Sequence, residues 1–210
     1  MKQRPAPAPG RARPPAHAPL LPLFLVSLVS IGFEIALTRY FAIASWSEYG
    51  YWVISITMVG RAASGVVLSL FKDLFVRYGR RLLHAIPMLL MISAAAGYYL
   101  VVAVPFNPLE FQNPDQWAAQ LLNIGKYYAV LFPFFFLTGC YISLYFLLFQ
   151  HHIPKIYGAD LAGAGVGALV VLLLMFWVNP FYLLATLLPF LAAAGMYHAP
   201  APRKGRRVLY

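Results

Sequence analysis

Three ionisable side chains stand inside long apolar runs of this chain: Glu34, Arg61 and Asp160. A charge at the centre of a bilayer costs at least about 2.5–3.5 kcal/mol, so such residues are usually paired or functional. Glu34 and Arg61 lie near the middles of two successive runs. At about 1.5 Å of rise per helical residue, their backbones differ in depth by roughly 5 Å. A guanidinium reaches further than that, so a Glu34–Arg61 pair between neighbouring antiparallel helices is feasible. The first reading of the pair is a structural lock on the opening helical hairpin. The second is a site for a polar substrate or a proton. Arg39 follows five residues after Glu34, near the outer interface. It is expected to snorkel toward headgroups. Asp160 falls near the start of the fifth run, where it would cap the helix and suit the positive end of its dipole. A substrate role for Asp160 is the alternative.

Other chemistry is excluded by what the sequence lacks. His151 and His152 are adjacent in a turn, and two histidines without further ligands rarely form a metal site. No Ser/His/Asp, Cys/His or paired-carboxylate set suggests catalysis. Cys140 is the single cysteine and sits in an apolar run, so it forms no internal disulfide. The expectation is therefore a chain without catalytic residues, metal or cofactor.

The elements that must position these residues are membrane helices. The chain is 61% hydrophobic and 10% charged, far from the balance of a soluble domain. Six apolar runs occupy roughly 20–45, 50–71, 82–104, 126–149, 157–178 and 180–197. About 20 apolar residues span the hydrocarbon core as a helix. The runs lack the alternation of a membrane barrel, so they predict helices and not strands. Asn179-Pro180 makes the last two a tight helical hairpin.

The net charge of +10 would suggest nucleic acid in a soluble protein. Here the basic residues fall almost wholly on alternate connections, with Lys126 at a helix edge. Lys72, Arg77, Arg80, Arg81 and Lys155 lie on one side with both termini, whereas Glu48, Glu110 and Asp115 lie on the other. The positive-inside rule puts both termini in the cytoplasm. The four tryptophans, Trp46, Trp52, Trp117 and Trp177, all fall on the outer side. Three fit an aromatic belt, and Trp117 belongs to a longer loop on the membrane surface. Residues 1–19 form a basic Pro/Ala-rich tail with no apolar period, expected to be disordered. Residues 20–197 form the membrane domain, and 198–210 a second basic tail. A cleaved signal peptide is the weaker reading of the first run, which is too long and carries Glu34 and Arg39.

Small residues mark where helices approach closely. Ala159, Gly163 and Gly167 recur every four residues in the fifth run, and Gly60 and Ser64 form a similar patch in the second. Such stripes let backbones nearly touch in lipid. The glycines do not form a nucleotide loop, since no strand precedes them.

Three stretches together resemble a family. These are GFEIALTRYFAIASW with Glu34, Thr38 and Arg39; YGYWVISITMVGRAASGVVLSL; and KIYGADLAGAGVGAL. They resemble the membrane-spanning half of bacterial spermidine synthase-like proteins, in which helices of major-facilitator type precede a soluble synthase domain. The resemblance covers about residues 20–197 and implies a bacterial inner-membrane location. Lys72-Asp73 through Gly79-Arg80-Arg81 weakly resembles the major-facilitator loop after its second helix. The sequence holds no synthase segment after the sixth run, so the synthase activity does not carry over. Arg61 also departs from the small or apolar residue expected there.

The fold expected is an all-α bundle of six transmembrane helices, plausible as two three-helix repeats like half of a major-facilitator protein. Such halves seldom enclose a pathway alone, which implies a homo-oligomer or a larger membrane complex. Two functions compete. The first is a non-catalytic membrane subunit that anchors or assembles with a partner, docking through the Gly163/Gly167 stripe and its basic face. The alternative is a binding or transport module for a small polar or cationic solute such as a polyamine, held by Glu34 and Asp160 with Arg61 as counter-charge. Enzymatic activity would require a separately encoded synthase domain.

Overall fold

Peptide groups in lipid have no water to bond, so apolar runs of this length satisfy their backbones internally as helices. The computed structural model describes residues 18–44 and 50–198. Its helices are α1 (Leu20–Ala44), α2 (Gly50–Leu70), α3 (Lys72–Ala103), α4 (Trp117–Leu148) and α5 (Ile153–Leu174). The sixth span, Pro180–Tyr197, is built from α6 (Pro180–Leu183), a 3-10 turn (Ala185–Leu187) and α7 (Leu188–His198). The chain is thus an all-α, six-helix bundle whose spans are each long and apolar enough to cross a membrane. Trp46, Glu48 and both tails beyond residues 17 and 198 lie outside the described residues.

The sequence boundaries are corrected at several places. Only Phe71 separates α2 from α3, so Lys72–Arg81 is not a loop but the opening turns of α3. Nothing there breaks a helix, and Asp73 in the first turn suits the dipole. At about 1.5 Å per residue, the 32 residues of α3 extend well beyond about 30 Å of hydrocarbon. Trp117 is likewise the first residue of α4, not part of a surface loop. The sixth span is interrupted where Pro189 lacks the N–H that would have bonded the carbonyl of Ala185. Thr186 Oγ1 donates instead to the Leu183 carbonyl at 2.6 Å.

The central helix is α1, the most buried of the spans. It packs most extensively along α5, and also meets α2, α4 and the sixth span. In the same way α4 packs along α2 and α3, and α3 meets α7. Exchanging the first three spans with the last three (α1 with α4, α2 with α5, α3 with the sixth) maps this pattern of neighbours onto itself. Three crossings reverse direction, so this pattern of neighbours is the one that two inverted three-helix repeats would give.

Both long seams are parallel pairs closed by small residues. A Cβ on Gly163 or Gly167 would collide with the α1 carbonyls of Phe24 and Leu28. A Cβ on Gly60 would lie 2.8 Å from Phe135 Cβ, and one on Gly139 would strike the Ser64 hydroxyl. In lipid, such close approach supplies the dispersion contacts that hold helices together. The Gly163/Gly167 stripe is therefore filled inside the bundle by α1. It is not free to dock another protein, as the subunit reading required of it.

Candidate functional site

Where the two seams meet, α1, α2, α4 and α5 surround a polar cavity of about 270 Å³. Its walls carry Ser27 and Ser30 from α1, Arg61 and Ser64 from α2, Ser143 from α4 and Asp160 from α5. Each reaches the cavity because of helix spacing. Ser27 and Ser30 are three apart and share a face with Glu34, four further on. Arg61 and Ser64 are also three apart, and Gly139 opposite them lets the backbone of α2 close on α4: a Cβ there would lie 3.1 Å from Arg61 Cα.

The charged groups are engaged but not saturated. Arg61 Nη2 donates to Glu34 Oε2 at 3.3 Å and to Ser30 Oγ at 3.0 Å. The pair anticipated from helical depth is thus present. Arg61 Nε is buried and has no acceptor. A buried donor left unmade costs about 1–3 kcal/mol, so the ion pair leaves part of the guanidinium unsatisfied. Asp160 Oδ1 accepts from Ser27 Oγ at 2.5 Å. Asp160 does not cap α5: the helix begins at Ile153, with Pro154 in its first turn, so Asp160 lies two turns in. Its side chain crosses to α1 instead. Ser64 Oγ donates to the carbonyl of Arg61 at 2.6 Å, turning its hydrogen inward to its own helix.

A second space of about 540 Å³ opens between α1, α2 and the end of α5. Ile31, Ile35, Ile54 and Met175 make it apolar, while Glu34 and Arg39 also reach it. Arg39 is exposed, as a snorkelling side chain requires. Ile31 lines both spaces. Arg61 lines only the polar cavity and Glu34 only the apolar groove, so the ion pair stands at their boundary.

Of the residues singled out from the sequence, Arg61, Asp160 and Ser64 line one cavity, and Glu34 and Arg39 line the adjoining groove. Gly60, Gly163 and Gly167 pack the seams, and Ala159 is half-buried against the core. Ser27, Ser30 and Ser143 were not anticipated. The i, i+3, i+7 spacing of Ser27, Ser30 and Glu34 on an otherwise apolar helix was the available signal. Among the described residues, no group of His, Cys, Asp and Glu could hold a metal ion. No family model matches the chain, and neither a curated protein nor a solved structure is detectably similar to it.

Proposed function

We propose that this chain is a membrane module that binds a small polar, cation-bearing solute in the cavity between α1, α2, α4 and α5. The observation that carries the reading is the cavity itself: two formal charges and four serine hydroxyls around about 270 Å³ between membrane-spanning helices. Packing alone does not call for such a space, since a lock between two helices needs no surrounding polar walls. Counting Glu34, the formal charge around the site is one negative in excess. Asp160 Oδ2 is the group suited to an ammonium, and the serines to the polar body beside it. The arrangement of the halves adds support, because α1 and α2 of one and α4 and α5 of the other both line the cavity, and transporters built of inverted repeats hold their solutes at the repeat interface. On this reading the bundle sits in a bacterial inner membrane, as the family resemblance implies, with both termini in the cytoplasm, which the charge asymmetry of its connections supports.

Equilibrium binding of radiolabelled spermidine and shorter diamines to nanodisc-embedded protein tests the proposal. Saturable binding that falls at least tenfold in Asp160→Asn, with unchanged thermal stability, is the expected result. Absence of saturable binding to the wild type would sink it.

The assembly-subunit reading retains one observation of its own. A Cβ on Gly158 or Gly165 would meet open space, and exposed Ala162 lies between them on the outward side of α5. A partner helix or a second copy could approach there, leaving the filled Gly163/Gly167 seam intact.

A further inference from the structure

We infer that the solute is an amphiphile, whose charged head occupies the polar cavity and whose alkyl chain lies in the apolar groove beside it. This deepens the solute-binding reading and rests on it. The inference comes from adjacency: Ile31 is a wall of both spaces, and the Glu34–Arg61 pair marks where polar lining gives way to apolar. A wholly polar solute would use the cavity and leave about 540 Å³ of apolar wall beside it unexplained. A wholly apolar one would leave the Asp160 carboxylate with Ser27 alone and the rest of the polar walls unused.

The groove has the shape of a chain site. Along α1 its lining includes Ile31, Ile35, Thr38 and Ala42, spaced by three or four so that they form one stripe, with Glu34 and Arg39 beside it. From Ile31 to Ala42 that stripe runs about 16 Å at 1.5 Å per residue. Ile54 of α2 and Met175 after α5 close its sides. Ile54 is 38% exposed, so the groove opens sideways between helices, and a chain can enter from the bilayer without leaving hydrocarbon. Only the head then has to be stripped of water, and Asp160, the serines and the partly exposed Arg61 guanidinium replace that hydration. The preferred ligand class is a long-chain primary amine or amino alcohol, with an oxygen near the ammonium for the guanidinium.

Displacement of radiolabelled spermidine from nanodisc-embedded protein by n-alkylamines of increasing length tests this. Longer amines also partition into the bilayer, so the informative quantity is the ratio of apparent affinities between wild type and a groove-filling variant. Two variants are used, Ile35→Trp and Ile54→Trp, the second at a position already partly exposed. The ratio should be near one for butylamine and rise with length to at least tenfold for dodecylamine, since the indole fills the space that only a long chain would occupy. A ratio near one at every length, in both variants and with normal spermidine binding, would overturn the amphiphile inference and leave the solute reading standing. Failure of the wild type to bind spermidine or any amine would overturn both.

Discussion

Arg61 and Glu34 meet at 3.3 Å across the α1–α2 hairpin, yet each lines a different space. The guanidinium belongs to the polar cavity and the carboxylate to the apolar groove. This gives the pair two physical roles at once. It neutralises two charges at a depth where either alone would be costly. It also forms the partition a ligand would have to pass beside. Arg61 is 37% exposed at the side chain and Glu34 19%, so the pair is not sealed in the core and can respond to what fills either space.

The pair predicts a thermodynamic coupling. Glu34→Gln removes the carboxylate and leaves the guanidinium with Ser30 alone. Losing one partner of a buried ion pair costs about 3–5 kcal/mol in soluble proteins, an upper guide here because both groups are partly exposed. Adding Arg61→Gln should recover part of the loss. Thermal unfolding of the four proteins in one detergent measures the cycle, and strictly additive effects would mean the groups do not stabilise one another.

The outer connection predicts a second effect. Gln120 is buried at the start of α4 and ties down the segment before it. Its amide nitrogen donates to Glu110 Oε2, and its oxygen accepts from the Asn107 backbone N–H at 3.2 Å. Asn123 donates to the Pro105 carbonyl at 2.8 Å alongside. Gln120→Leu would leave the Asn107 N–H and the Glu110 carboxylate without this partner. The expected outcome is faster cleavage of the 105–116 segment by added protease, with the spans still protected. An unchanged cleavage rate would show that the clamp is dispensable.

Orientation is open to a direct check. Gln112 and Arg80 are both exposed, the first on the connection that carries Glu110 and Asp115, the second in the basic opening turns of α3. Cysteine placed at Gln112 should react with an impermeant maleimide added outside intact cells, and cysteine at Arg80 should not. The native Cys140 is buried and gives little background. The reverse pattern would invert the topology.

What could be read in the sequence follows physical range. The spans were legible because bilayer thickness and hydropathy act within one helix. The Glu34–Arg61 contact was legible because the two residues sit on consecutive helices whose depths can be counted from either end. Asp160 was misread because α5 starts at Ile153, before the apolar run does; Pro154 at a first-turn position was the unused signal. The serine lining was missed for a different reason. Ser27, Ser143 and Asp160 come from α1, α4 and α5, and which faces of those helices converge depends on the pairing of α1 with α5 and α2 with α4. Isolated serines in apolar helices give no hint of that pairing.

Two glycines on α5, two residues apart, separate the inner seam from the outer face. A Cβ at Gly163 would lie 3.1 Å from Phe24 Cα and closer still to its carbonyl oxygen, so a leucine there must push α1 away. Because α1 is central, the displacement would also disturb the Ser27–Asp160 hydrogen bond one turn down. Overpacking costs about 1–3 kcal/mol when neighbours can shift, and backbone shifts less readily than a side chain. Gly163→Leu should therefore lower thermal stability and membrane yield, with no hydrophobic gain to offset it, since lipid tails are as apolar as leucine. Gly165 faces open space, so Gly165→Leu should leave stability unchanged. Size-exclusion chromatography with light scattering then separates the two outward possibilities: a smaller assembly for Gly165→Leu means that face holds another helix, and an unchanged one means that it meets lipid. Equal destabilisation by both leucines would contradict the packing of α5 on α1.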